Sequence, residues 1–332
     1  MTRVTTFSSY NSVISNLMTA EFRQQQAGAQ ISSGKVAADL KGFGINTEAL
    51  TAAQSLKTRV DGFAQNASTL SVKLDSQNLA LTQISDAGQG ARQAIANALA
   101  SGNGQGLMTT LQSYFGQVSG GLNTQYNGQY LFAGGRTATP PVAASAMSDL
   151  VTTPAVPPAT AWDPTPWTPN PATTYNNVFQ NDQLAATSQL DESTSIQTGM
   201  LASNVGGPLF NAFAQVEDYQ QSSGQPISGQ LNADQTNFLT NMLKTFDSAN
   251  KGMIDTVASN GLMQNRVADA QTTQQDRQTT LETMISGITD VDVAAASSKL
   301  SQAQVALQAS AHIFSSLQSS TLLNYLSAPP VG

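Results

Sequence analysis

The 332-residue chain carries 14 Lys and Arg against 21 Asp and Glu, a net charge of −7, and only 11% of its residues are charged, where about a quarter is usual. A chain so acidic and so lightly charged has no Lys/Arg cluster with which to displace counterions from a nucleic acid, and copies packed side by side repel one another weakly. It has no cysteine, which excludes disulfides, thiolate chemistry and zinc sites built on Cys.

No run approaches the roughly 18 apolar residues of a membrane span. The opening stretch MTRVTTFSSYNSVISNLMTAEFRQQQ lacks the unbroken apolar core of a cleaved signal. The expectation is a cytoplasmic protein, or one exported without a cleaved signal. In that opening stretch Val4, Phe7, Tyr10, Val13, Ile14, Leu17, Met18 and Phe22 make a helix-like segment that is apolar on more than one face.

From Leu56 the apolar residues fall into alternating spacings of four and three: Leu56, Val60, Phe63, Ala67, Leu70, Leu74, Leu81, Ile84, Ala91 and Ile95, interrupted only by Gln77 and Gly88. That is a coiled-coil seam. A helix over Glu48–Leu99 would be roughly 78 Å long at 1.5 Å per residue.

The middle differs in kind. Residues 137–175 hold most of the 13 prolines and both tryptophans. Proline fixes φ and removes a backbone donor, so this stretch is not helical, and part of it reads as extended linker. Short strand-like runs follow near Tyr175–Phe179, Leu184–Leu190 and Ser195–Leu201. Gly206-Gly207-Pro208 then starts a return to helix, with Leu209, Phe213 and Val216 on one face, and QQSSGQPISGQ is a loop.

The far end repeats the seam. Leu239, Leu243, Phe246, Asn250, Met253, Val257, Asn260, Gln264, Val267, Gln271, Gln274, Gln278, Leu281, Ile285 and Ile288 keep the spacing with many amides. This is either a weak, partly solvated helix or a long helix antiparallel to the first; the matching length and period favour the second. Asp290 or Asp292 caps a last helix. Its seam runs through Val293, Ala296, Leu300, Ala303, Leu307, Ser310, Phe314 and Leu317, with Val305, Ile313, Leu322, Leu323, Tyr325 and Leu326 apolar but off it. Chain ends usually fray and carry polar residues. Two broad apolar ends call for covering by other copies of the chain.

Chemistry candidates are thin. His312, the single histidine, lies inside the last helix, where a Ser-His-Asp triad has no pocket. The glycines of LFAGGRT, residues 131–137, lack the phosphate-loop frame and read as a tight turn. Asp182, Asp191 and Glu192 lack Ca²⁺-loop spacing. The expectation is no enzyme, with no catalytic, cofactor or metal residues.

Three stretches carry a family resemblance. Residues 8–44, SSYNSVISNLMTAEFRQQQAGAQISSGKVAADLKGFG, resemble the flagellin-type start, a helix leading into an ISSG turn. Residues 127–141, NGQYLFAGGRTATPP, resemble the stretch that closes the N-terminal helical half in the hook-associated protein 3 family, the hook–filament junction proteins of the flagellin superfamily. Residues 290–326 resemble that family's C-terminal helix and its LLNYL-type ending, with Thr321 interrupting the usual wording.

The resemblance implies a mainly α fold with a β-rich insertion. Terminal helices (1–41 and 291–332) would pair in an inner layer against neighbouring subunits. A long helical bundle (42–137 and 206–290) would lie outside them, and a proline- and β-rich domain (138–205) outermost. It implies export by the flagellar type III system without a cleaved signal. Partners would be further copies, a neighbouring hook-associated protein, flagellin and an export chaperone, with neither nucleic acid nor membrane.

The expected self-assembly residues are Phe7, Ile14, Leu17, Leu307, Phe314, Leu317, Leu322, Leu323, Tyr325 and Leu326. The expected helical-hairpin seam is Leu56, Val60, Phe63, Leu70, Leu74, Leu81 and Ile84. Two alternatives stay open: a filament flagellin, and an exported helical adhesin or secretion-tip protein that binds a surface through its middle.

Overall fold

A computed structural model describes residues 2–151, 178–223 and 225–326, with side chains described from Tyr10 to Gln318 within those ranges, Ser222 excepted. The proline-rich linker expected up to Tyr175 therefore lies, from residue 152 on, outside the described residues. The fold is mainly helical: α1 (Thr2–Ser33), a 3₁₀ turn (Leu40–Asn46), α2 (Thr47–Ser101), α3 (Leu107–Leu122), α4 (Ala202–Ser222), α5 (Ala233–Thr289) and α6 (Val293–Leu326). Two short antiparallel hairpins interrupt it, β1–β2 (Gln125–Tyr126, Gln129–Tyr130) and β3–β4 (Thr187–Gln189, Ser195–Gln197).

The chain divides into two compact units, Met1–Arg59 with Arg277–Gly332, and Val60–Asp276. The division falls inside α2 and α5, where the sequence pattern alone suggested boundaries at 41, 137, 205 and 290.

In the second unit, α2 and α5 run antiparallel. Asn260 Nδ2 donates to the Leu74 carbonyl (3.2 Å), Gln264 Nε2 donates to Asp75 (2.8 Å), and Arg92 pairs with Asp247 (2.5 Å). Every expected α5 seam position from Leu239 to Ile288 is buried or half-buried. α2 stops at Gly102, whose φ of 63° is cheap only for glycine. The Gly102 and Asn103 amides fold back onto the Leu99 and Ala98 carbonyls and satisfy the helix end.

α3 and α4 complete this core. Phe115 meets Phe210 and Phe213 edge-on, with centroids 5.0 and 5.6 Å apart, and Phe213 meets Phe246 at 5.2 Å. Such tilted pairs align the positive ring edge with the negative face. The return to helix begins at Ala202, four residues before the expected Gly-Gly-Pro, which sits inside α4. Pro208, inside the helix, has no amide to give the Asn204 carbonyl, and Gly206 lies so close to Leu122 that a Cβ would fall 2.4 Å from its methyl.

The middle segment is not set apart from this core. Val142, Ala144, Met147, Leu150, Val178 and Phe179 are buried in it. The strands are shorter than the runs that suggested them: Phe179 makes a single bridge to Val142, and Leu201 one to Ala133. β1 and β2 turn through Asn127-Gly128 with φ of 50° and 76°, the geometry an Asn-Gly hairpin prefers. The β3–β4 turn closes on Asp191, which accepts from the Ser193 and Thr194 amides at 2.7 Å each, and these bonds hold its carboxyl below the usual range. This hairpin lays Leu190 and Ile196 on Ala67, Leu70, Leu74 and Val267. Asn66 donates to the Gln189 carbonyl (2.6 Å) and Gln274 to the Leu190 carbonyl (3.3 Å), so both long helices hold it.

Candidate assembly surface

In the terminal unit α1 and α6 lie antiparallel. Tyr10 and Phe314 meet at a tilt of 40° with centroids 5.2 Å apart toward one end, and the Lys35–Asp290 bridge ties the other. The residues between them explain the close approach: Ala20, Ala27, Ala296 and Ala303 are buried, and methyl side chains let two backbones come near. The end of α1 and the start of α6 are both capped. The Gly34 amide returns to the Gln30 carbonyl at φ 69°, and Asp292 accepts from the Ala294 and Ala295 amides at 2.9 and 3.0 Å. Of the two aspartates offered by the sequence as a cap, Asp292 does the capping.

Asp290 does something else. Its carboxylate accepts from Lys35 Nζ (2.5 Å), Ser286 Oγ (2.5 Å) and Thr289 Oγ1 (3.0 Å). The Lys35 bond first, then those from Ser286 and Thr289, lower its carboxyl from 3.8 to about 2. Around the pair the Val36 amide donates to the Thr289 carbonyl (2.8 Å) and the Val291 amide to that of Gly34 (3.0 Å). The break after α1 and the break before α6 are thereby clasped together. Nothing in the sequence flags a pair 255 residues apart.

Among the expected assembly residues, Ile14, Leu17, Leu307, Phe314 and Leu317 are half-buried in the α1–α6 pair. The side chains of Phe7, Leu322, Leu323, Tyr325 and Leu326 lie outside the described residues. The large exposed side chains here are others: Met18 (64%), Phe22 (66%), Val305 (63%) and Ile313 (53%). Val305 and Ile313 lie off the α6 seam, while Val293, on it, is 53% exposed as well. In the second unit Val60, Leu70, Leu74, Leu81 and Ile84 of the expected hairpin seam are buried and Phe63 half-buried. Leu56, in the terminal unit, is 38% exposed and does not continue the buried row. Beside it Lys57 pairs with Glu282 at 3.2 Å.

A groove of about 800 Å³ runs along α1 and α6, lined by Ala20, Ala27, Ala303, Ala306 and Ala309 with Arg23, Lys299 and several amides. Its lining carries the hydroxyls of Thr19 and Ser310 and no His, Cys, Asp or Glu. His312 is exposed on α6. Gly134-Gly135 forms a turn closed on a carboxylate: Asp182 accepts from the Gly135 amide at 2.8 Å, which leaves no room there for an anion. Among the described residues no group of three His, Cys, Asp or Glu could hold a metal ion, and no helix is long and apolar enough to cross a membrane.

Comparison with known proteins agrees with a chain defined by its helical ends. Residues 4–137 match the family model of the bacterial flagellin N-terminal helical region, and residues 243–326 that of the bacterial flagellin C-terminal helical region. A solved structure from Vibrio parahaemolyticus, assigned as a flagellar hook-associated protein, is 14% identical with a TM-score of 0.55; the match covers 74% of this chain and 97% of that one. Bacillus cereus FlgL is 13% identical with a TM-score of 0.52, covering 70% and 97%. At such identities the likeness is one of fold. No curated protein matches.

Proposed function

This chain belongs to the bacterial flagellin family, and from that premise we propose that this flagellar structural subunit joins hook to filament, held in place by its terminal helices. The observation that carries the reading is the exposed apolar set on the α1–α6 pair. Met18, Phe22, Val305 and Ile313 are each more than half exposed in the single chain, and fully burying such a side chain contributes about 1.5–3 kcal/mol. Ordering a helical residue costs about 1–2 kcal/mol, so the pair gains most from being ordered against neighbours.

The junction role, as opposed to the filament itself, rests on residues 127–141 and 314–326, which resemble the junction family, and draws support from the names of the two solved structures. Under this reading the partners are further copies, a hook-side protein and flagellin. The chain reaches the outside by the flagellar type III route with help from an export chaperone. The family match at both ends favours a second reading, filament flagellin.

Imaging of labelled protein on flagellated cells separates the two. A junction protein gives one short zone between hook and filament; label along whole filaments would overturn the junction role. Deleting Ser301–Leu326 is expected to abolish incorporation and to release flagellin into the medium.

A further inference from the structure

Within the terminal unit, a second feature faces outward besides the helix pair. The 3₁₀ turn Leu40–Asn46 holds Ile45 97% exposed and Leu40 49% exposed. The turn is fixed: Thr47 Oγ1 donates to the carbonyls of both Leu40 (2.7 Å) and Gly44 (2.8 Å), and Asp39 accepts from the Gly42 amide (3.1 Å). Gly44 takes φ 54° and ψ −121°, a backbone closed to side-chain-bearing residues, and by doing so it turns Ile45 outward. A rigid loop that presents a bare isoleucine, with the half-exposed Leu40 at its other end, is an apolar knob.

The same unit contains a receptacle of matching character. The α1–α6 groove has a floor of alanine methyls, and its volume of about 800 Å³ exceeds one side chain, enough for a loop tip carrying Leu40 and Ile45. Arg23 and Lys299 line it, both exposed, and no ion pair joins either to a carboxylate among the described residues. Asp39 and Glu48 flank the knob, with Lys41 between them, so knob and groove have opposite net charge. At its exposure Ile45 is not in its own chain's groove.

We infer that the Leu40–Asn46 loop of one copy seats in the α1–α6 groove of the next, with Ile45 on the alanine floor and Asp39 and Glu48 toward Arg23 and Lys299. The inference rests on the self-assembly reading above and names its contact. Such a contact is heterologous: it joins two different surfaces, so each added copy leaves one free knob and one free groove, and the series continues as a ring or a helix.

The absence of native cysteine makes the test direct. Assemblies of the Ile45→Cys, Ala306→Cys double variant are oxidised and run without reductant. The expected result is a ladder of covalent multimers. A mixture of the two single variants is expected to stop at dimers, and each single variant alone to stay monomeric. Ordered assemblies that form without the ladder would overturn the knob-in-groove contact while leaving self-assembly standing. So would cross-linking confined within single chains. Failure of the unaltered chain to assemble under any condition would overturn both. As a second measurement, Ile45→Lys is expected to reduce the assembly rate at least tenfold, with the circular dichroism of the monomer unchanged; an unchanged rate would also sink the contact.

Discussion

The two units solve the problem of burying helices in opposite ways. In Val60–Asp276 the rings of Phe115, Phe132, Phe213, Phe246 and Tyr219 are fully buried and lock α2, α3, α4 and α5 together. In the terminal unit the fully covered apolar side chains are small or few, Ala20, Ala27, Leu50, Ala53, Leu281, Ala296 and Ala303, while Phe22, Met18, Ile45 and Ile313 stay outside. Apolar stabilisation scales with area removed from water. The ring-filled unit therefore supports itself, and the alanine-seamed unit leaves large side chains exposed.

The sharpest way to break this comparison is to shorten one phenylalanine in each unit. Phe213→Ala is expected to cost about 3–5 kcal/mol of monomer stability, because a ring in a close-packed site leaves a cavity. Phe22→Ala is expected to change monomer stability by no more than about 0.5 kcal/mol and yet to slow assembly. Urea titrations and assembly kinetics on both variants decide it. Equal losses of monomer stability would mean that the terminal unit has a self-sufficient core after all.

The middle segment offers the next largest effect. The family resemblance implied an outermost domain of its own over 138–205, outside the helical bundle. Burial of Val142, Met147, Leu150 and Phe179 argues otherwise. Leu190→Ala, which shortens the side chain that the β3–β4 hairpin lays on both long helices, is expected to cost about 2–3 kcal/mol, the lower part of the range for such truncations. The loss should appear as faster amide exchange in α2 near Leu70 and in α5 near Val267. Unchanged exchange there would return the hairpin to the status of an ornament.

The long helices were legible because a row of apolar residues at alternating spacings of four and three admits one period, and their partnership because the two rows match in length. On α6, Val305 and Ile313 read as off the seam in the sequence, and both are exposed on the paired helix. The α3 helix was missed, although Leu107, Leu111, Phe115, Val118 and Leu122 carry its pattern and all are buried. It is short, and a row of glycines at 116, 120 and 121 blurs it. The clasp at Lys35–Asp290 and the groove were not legible at all, since both arise from residues brought together only by the antiparallel pairing. The Ile45 knob depends on one glycine's φ, which composition does not reveal.

A smaller effect probes the amides of the seam. Gln77 is 1% exposed, and neither its Nε2 nor its Oε1 finds a hydrogen-bond partner among the described residues. An unsatisfied buried polar group costs about 1–3 kcal/mol. Gln77→Leu, similar in volume, is therefore expected to raise the stability of the Val60–Asp276 unit by about 1 kcal/mol, read as a higher urea midpoint at unchanged slope. A loss of stability would show that the amide is satisfied by solvent and belongs to the packing.

The smallest expected effect is local, and it belongs to the terminal unit. Asp290 has its carboxyl lowered from 3.8 to about 2 by Lys35, Ser286 and Thr289. A group with a depressed folded-state pKa contributes stability that is present in full above its unfolded value and is lost as pH falls through the folded one. The clasp between Gly34–Val36 and Thr289–Val291 should therefore hold at pH 5, weaken below about 4 and open near 2. Because the pair is exposed, added salt should weaken it as well. The amides of Val36 and Val291, bonded across the clasp, report this directly. Their exchange, corrected for the intrinsic pH dependence, is expected to accelerate between pH 4 and 2, while that of amides around Phe213 stays constant. Asp290→Asn keeps the shape and removes the charge, so its Val36 and Val291 amides should lose that pH dependence. If the variant kept the same acid response, another carboxyl would carry it, and the Lys35–Asp290 ion pair would not be what acid breaks.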